Sequence, residues 1–350
     1  MALGILIALA AAEIASRTSS YLKERKRTEE WAAFIEQRTR EKSADPTHKT
    51  SLVDIIRPSP YPDVIYQWIP SISVNYIDCR VTINEYGFRG PVVPREKPDG
   101  VFRIVGLGDS VMFGNGVHDG EEFLQVMARK LNEAGLTSRV EVVNMAVSGY
   151  NTAMEVAFFE RVGLAWSPDL VLIDFVPNDF DLPNFISGQT DCLALDRSFL
   201  FDWVSSTMKA ARQEGEDGFR PLQIAPKRND HLFEQDSEKV PPQYRHMVGH
   251  DGYHRAMCRL AELAKKYRFH IAVTNHRSIL PGVLETCREL GIPVILANNA
   301  VDKYGKEKGI EKYQGSELTV SDKDPHPSAI QHRILGEYYA QLLLHSGRIQ

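Results

Sequence analysis

The chain opens on an almost wholly apolar stretch, Ala2 to Ala12, broken at Glu13 and followed by Arg17, Lys23, Arg25, Lys26 and Arg27. That run is shorter than the roughly 20 apolar residues of a spanning helix. It also lacks the basic start and small-residue cleavage site of a secretory signal. Residues 1–17 are therefore expected to form a membrane-associated helix, the remnant of a longer anchor, or a plain amphipathic helix. If the segment inserted, the basic flank would hold the main domain on the cytoplasmic side. From Ser19 to Ala44 the chain is dense in charge, with Trp31, Phe34 and Ile35 spaced for one helical face, which predicts a solvated helix or stalk. Asp45 to Pro62, rich in Pro and Ser, reads as a linker. Short β-branched and aromatic runs between Val64 and Ile83, then turns at Gly87 and Gly90, predict a β lead-in. Residues 18–100 thus form a helical and β extension ahead of the main domain, 101–350.

At Val101 the pattern changes. Phe102–Leu107, Arg139–Met145, Leu170–Val176, His270–Thr274 and Pro293–Ala297 read as strands. Helical periodicity separates them at Glu121–Ala134, Asn151–Leu164, Gly252–Tyr267 and Gly282–Leu290, and a last helix is expected from Ser328 to about Leu344. The continuous apolar run Leu170–Val176 suits a central parallel strand covered on both faces. Alternating strands and helices imply an α/β domain with a doubly wound, mostly parallel sheet and right-handed crossovers. In such sheets ligands bind beyond the carboxyl ends of the strands. Functional residues are therefore sought just after strands.

The alternation lapses at about 180–250. Phe199, Trp203 and Thr207, with Leu200, Val204 and Met208, form two adjoining helical rows. These predict a helix packed on the core, with a hydrophobic lid as the other reading. Gln213 to Lys239 reads as loop.

Composition refines this picture only slightly. Hydrophobic residues make up 43% and charged residues 25% of the 350, and the net charge of −5 argues against a partner held through nucleic-acid phosphates. None of the four cysteines, Cys79, Cys192, Cys258 and Cys287, forms a CxxC pair, and no disulfide framework is expected. No P-loop and no GxGxxG opens a helix after a strand, so no cofactor is indicated.

The chemistry-bearing residues sit where the topology asks for them. The first strand runs into Gly108-Asp109-Ser110, which displays a serine at its carboxyl end. A serine hydroxyl becomes a competent nucleophile only when a neighbouring base takes its proton, and the oxyanion it generates needs preorganised donors. The second strand ends at Val147-Ser148-Gly149, where a bare backbone N–H can approach a substrate, and the third at Pro177-Asn178-Asp179, where the Asn178 amide is a second candidate donor. Far downstream, Asp322-Lys323-Asp324-Pro325-His326-Pro327 precedes the last helix, and the flanking prolines restrict a histidine that could serve as the base. Read singly, each is as consistent with a turn, a cap or a loop histidine.

Together, Gly108-Asp109-Ser110, Gly149, Asn178-Asp179 and His326-Pro327-Ser328, in this order, resemble the four blocks of the SGNH hydrolases, the GDSL-like esterases and lipases. The resemblance covers most of the chain after residue 100. It implies a flavodoxin-like sheet of about five parallel strands, Ser110 as nucleophile and His326 as general base. It also implies an oxyanion hole from the Ser110 and Gly149 N–H groups and the Asn178 side chain. Two positions depart from the family pattern: Val176 stands where a glycine is common, and Lys323 where the triad aspartate usually lies. Asp324 is the favoured acid, with Asp322 as the alternative and a Ser–His dyad if neither reaches the ring.

Other constellations are weaker. His246, His250 and His254 are spaced four apart ahead of Cys258, but Gly249 and Gly252 weaken a helix there and no HExxH glutamate is present, so no metal site is expected. His276 and Asn275 follow the fourth strand and are candidate substrate contacts, His276 being also a rival base. The activity implied is hydrolysis of short-chain or O-acetyl esters on small molecules or glycans, through a Ser110 acyl-enzyme. Acyl transfer to a glycan by the same serine, or a catalytically silent binding module, are the alternatives. Membrane association through the N-terminal segment would place the protein at a membrane or in the cell envelope, and its absence in the cytoplasm.

Overall fold

The computed structural model describes residues 1–350 except 44, 46, 62, 189–196, 211–220, 226–239, 278, 348 and 350, and for 206–210 it describes the backbone alone. Five parallel strands form the central sheet: β1 (Val101–Leu107), β2 (Arg139–Asn144), β3 (Leu170–Asp174), β4 (His270–Asn275) and β5 (Val294–Leu296). Their spatial order is β2-β1-β3-β4-β5, the flavodoxin-like order of a doubly wound sheet. The order reverses between β1 and β3, and there the crevice opens.

The helices, in chain order, are α1 (Ala2–Ser43), α2 (Ser110–Phe113), α3 (Phe123–Glu133), α4 (Thr152–Arg161), α5 (Phe199–Ala210), α6 (Gly249–Tyr267), α7 (Pro281–Leu290), α8 (Asn298–Lys308) and α9 (Ala329–His345). α3 packs on α9, and α9 on α8, along one face of the sheet; α6 packs on α4 and α7 along the other. The amphipathic spacing accounts for this: α3 buries Phe123, Leu124, Met127 and Leu131, and β3 is buried along its whole length between the two layers. Asn151 caps α4, its side chain accepting from the Met154 N–H.

Several expectations are revised. The apolar and charged N-terminal segments are one continuous helix of 42 residues. An 18-residue window of it has a mean hydropathy of 1.4 and, by length and composition alone, it is long and apolar enough to cross a membrane. The unbroken apolar run ends at Glu13, but the helix does not. Glu13 is paired with Arg17 one turn on. Within the supposed linker, Lys49–Thr50, Leu52–Ile55 and Ile56–Pro58 are regular elements, and Ile55 and Ile56 are buried. Within the β lead-in, Ile72–Tyr76 and Cys79–Ile83 pair antiparallel as a hairpin. α8 was not anticipated, its mostly polar sequence burying only Val301 and Gly305.

In the insertion, Phe185–Ser187 pairs antiparallel with Leu222–Ile224, so part of the stretch read as loop is a strand; the remainder of Gln213–Lys239 lies outside the described residues. α5 forms where a helix was expected, but it is seated on α1 rather than on the core, with Phe201 70% and Trp203 58% exposed. The side chains of Thr207 and Met208 lie outside the described residues. Cys79, Cys258 and Cys287 are free, and Cys192 lies outside the described residues.

Candidate active site

Where β1 ends, Asp109 caps α2, its Oδ1 accepting the Val111 N–H at 3.0 Å. The cap turns the chain sharply and leaves Ser110 at the mouth of the crevice. The loop after α2 is held by Arg89, which is buried and donates to the carbonyls of Phe113 (2.7 Å), Gly114 (2.5 Å) and Val117 (2.7 Å). At Gly116, with φ of +77°, an added Cβ would lie 2.5 Å from Val320, so the nucleophile's loop packs directly on the loop that carries His326.

That second loop folds back on itself. Val320 N–H bonds to the His326 carbonyl at 2.9 Å, Ser328 N–H to the Leu318 carbonyl at 3.0 Å, and the Asp324 N–H to Ser321 Oγ at 3.0 Å. From the end of β4, Arg277 donates to the Pro325 carbonyl at 2.8 Å and lies over the Tyr313 ring. The result brings together three groups from distant parts of the chain. His326 Nε2 lies 2.8 Å from Ser110 Oγ, and His326 Nδ1 lies 2.5 Å from Asp324 Oδ1. Asp324 also accepts the His326 N–H at 3.0 Å, so one carboxylate fixes both ring and backbone. Asp322 makes no such contact among the described hydrogen bonds.

The tautomer follows from donor counting. A carboxylate only accepts, so Nδ1 carries the proton and Nε2 is left as an acceptor. The Ser110 hydroxyl has two neighbours, Nε2 and, at 3.1 Å, Asp109 Oδ2. It has one proton, and Nε2 is the closer acceptor. Asp109 Oδ2 meanwhile accepts from Asn178 Nδ2 at 2.8 Å. This uses one of the two amide hydrogens and fixes the direction of the other.

The pocket around these groups measures ≈150 Å³ and is lined by Asp109, Ser110, Val176, Asn178, His276 and His326 among others. Asn275 also lines it, but its amide is committed at both ends, donating to the Phe175 carbonyl at 2.7 Å and accepting the Arg277 N–H at 2.8 Å. His276 is buried, and desolvation, with Arg277 and His326 nearby, lowers its pKa to about 3. It is neutral at ordinary pH, and its Nδ1 has no hydrogen-bond partner among the described residues. Gly149 is placed less simply. Its φ of +79° requires glycine, and an added Cβ would lie 2.1 Å from Asn184 Nδ2. The Asn184 amide therefore covers it, and Gly149 is not among the residues that line the pocket.

Beneath the site lie Glu155, Asp174 and Asp179, all buried. Burial first, then mutual repulsion and Asp109, raises the pKa values of Glu155 and Asp179 well above the ordinary range. Asp174 is raised to about 8, although a hydrogen bond from Thr274 partly offsets desolvation. Sequence reasoning gave Glu155 and Asp174 no role and named Asp179 only as the neighbour of Asn178. It also missed Tyr66 and Trp68, whose side chains donate to the Ser148 and Ala146 carbonyls at 3.0 and 2.9 Å and brace the loop before Gly149. Isolated aromatics in a β lead-in carry no signal of such a role. At the His-rich stretch the helix forms despite its glycines, beginning at Gly249. His250 bonds to Gly282 and Thr286, and His254 to Glu289; no group able to hold a metal occurs among the described residues.

The architecture is thus a flavodoxin-like α/β sheet with a Ser–His–Asp constellation at the carboxyl end of its first strand. The sequence matches no protein-family model and no curated protein. Solved structures with a similar fold include the acetyl xylan esterase AlAXEase, 14% identical with a TM-score of 0.41, covering 70% of this chain and 100% of that one. A lipase/acylhydrolase from Enterococcus faecalis is 15% identical with a TM-score of 0.41, covering 71% and 97%. TesA is 11% identical with a TM-score of 0.40, covering 69% and 97%. The likeness is one of fold.

Proposed function

We propose that the protein is a serine esterase of the SGNH type, acting on short acyl esters. The observation that carries this reading is the continuous chain Ser110 Oγ, His326 Nε2, His326 Nδ1, Asp324 Oδ1, at 2.8 and 2.5 Å across the two contacts. Ser110 Oγ attacks the ester carbonyl while its proton passes to Nε2, and Asp324 stabilises the imidazolium that forms. The carbonyl oxygen becomes an oxyanion, met by the Ser110 N–H and the free hydrogen of the Asn178 amide. The resemblance gives the Gly149 N–H as a third donor. Collapse breaks the bond to the alcohol, which leaves with the proton from Nε2, and water repeats the sequence on the acyl-enzyme. The small pocket favours acetyl and similarly short acyl groups, as on an O-acetylated sugar. α1 is read as holding this site at a membrane surface.

The test is an assay of acid release from p-nitrophenyl esters of increasing chain length and from acetylated sugars, with fluorophosphonate labelling. Acetate release that vanishes with Ser110→Ala, and label attached at Ser110, are the expected results. A folded protein that takes no label and turns over no ester would end this reading.

A further inference from the structure

α5 has more apolar surface than its seat on α1 uses. At about 100° per residue, Phe199, Trp203, Leu200, Val204 and Phe201 cover more than half of the helix circumference, leaving Asp202 and Ser205 to the polar side. Only Phe199 is buried, whereas Phe201, Trp203 and Val204 are 70%, 58% and 43% exposed.

The place where α5 is tied down gives this face its meaning. Glu13 accepts the N–H groups of Phe199 (3.0 Å) and Leu200 (2.9 Å) and the Ser198 hydroxyl (2.8 Å), and so caps the start of α5. Arg17 donates to the Arg197 carbonyl at 2.9 Å and covers the Phe199 ring. These are the two charges that interrupt the apolar end of α1, and both are engaged by α5. On one side of the junction, residues 1–10 are exposed, with Leu3, Ile5, Leu6, Ile7 and Leu9 each more than half accessible. On the other side come Lys23, Arg25, Lys26 and Arg27, with Glu24 among them and with Arg25 and Lys26 paired one turn on with Glu29 and Glu30, so that cations outnumber acids by one over residues 23–30.

We propose that α5 is a second membrane-contact element, which with the apolar end of α1 forms one surface seated in the headgroup and upper acyl region of an anionic bilayer. The polarity along the rod fits that occupant: apolar tip, an aromatic collar at the boundary, then cations at the level of lipid phosphates. The surface is also convex, wrapped around a helical rod, which lipid can follow and a second rigid protein copy can match only with a groove. The proposal rests on the reading of α1 as membrane-associated and is independent of the chemistry at Ser110.

The full chain is mixed with vesicles of phosphatidylcholine and phosphatidylglycerol, with or without brominated phosphatidylcholine. Trp203 is the exposed tryptophan on this face, so bromine quenching of emission should be largely lost in Trp203→Phe. Phe201→Glu with Trp203→Glu should weaken partitioning by about tenfold, equivalent to 1.4 kcal/mol, while hydrolysis of a soluble acetyl ester is unchanged. Vesicle binding with quenching equal in wild type and Trp203→Phe would overturn the role of α5 and leave α1 as the anchor. No vesicle binding by the wild type would overturn both. Vesicle-free self-association abolished by the double variant, without quenching, would assign the face to a second copy and also overturn the proposal.

Discussion

At the scale of single residues, the site depends on who donates to whom. Ser110→Ala and His326→Ala are each expected to lower kcat by on the order of 10⁴-fold or more, with circular dichroism unchanged. Asp324→Asn should cost on the order of 10⁴-fold by disturbing the tautomer, whereas Asp322→Asn should cost little. Near-equal losses from the two would remove the assignment. Asn178→Ala should lower kcat by roughly 10²–10³ with KM little changed, as for loss of one oxyanion donor. Because Asp109 Oδ2 holds the Asn178 amide, Asp109→Asn and Asn178→Ala should be non-additive, and a double-mutant cycle measures this. Additive losses would show that Asp109 acts only as the cap of α2.

Single residues also differ in how far the sequence alone reveals them. Ser110, Asn178 and His326 were visible because each follows a strand or precedes a helix in an α/β pattern. Choosing Asp324 over Asp322 needed the loop closed by Val320, Ser321 and Ser328, whose hydrogen bonds depend on the tertiary fold. The cover over Gly149 was invisible, since Asn184 is 35 residues away in the chain and looks like any loop asparagine.

Among the elements, strands and helices with strong periodicity appeared close to where they were expected, as for β3 and α3. Those that failed were polar or supported from outside. α8 has a weak apolar face, and the strand Leu222–Ile224 exists through its pairing with Phe185–Ser187. Arg89 shows the cost of reading turns by glycine alone. The sequence Gly87-Phe88-Arg89-Gly90 reads as turn chemistry, yet its arginine knits the lead-in to the nucleophile's loop. Removing it takes a donor from three carbonyls, of which Gly114 keeps the Val117 N–H, and leaves buried Glu122 without the cation beside it. Arg89→Met is therefore expected to destabilise the fold by about 3–5 kcal/mol, read as a lower urea midpoint. A change under about 1 kcal/mol would mean that water replaces the guanidinium.

For the molecule as a whole, buried titratable groups link stability to pH. Asp174 has its pKa raised to about 8 in the fold, against about 3.9 for a free aspartate. Its native form is protonated, so its contribution is fully present at low pH and is lost as pH rises from about 4 through 8, at up to about 1.4 kcal/mol per pH unit. His276 and His332 act in the opposite sense, both lowered to about 3 by burial. Their contribution is present above about 6.5 and is lost as pH falls toward 3. Unfolding midpoints should therefore decline on both sides of a maximum in the mildly acidic range. Asp174→Asn should flatten the alkaline limb, and a limb of unchanged slope in that variant would show that Asp174 is not its source.

The continuity of α1 has one more consequence. Its far end is pinned to the domain by buried Ile35 and Thr39, while Glu13 is clasped by α5. The 22 steps from Glu13 to Ile35 span roughly 33 Å at 1.5 Å per residue. A stiff helix of this kind couples reach to rotation: removing seven residues there shortens it by about 10 Å and turns it by only about 20°, whereas removing five swings the clasp to the opposite side. The stalk acts as an indexed spacer, tolerant of some changes in length and closed to others.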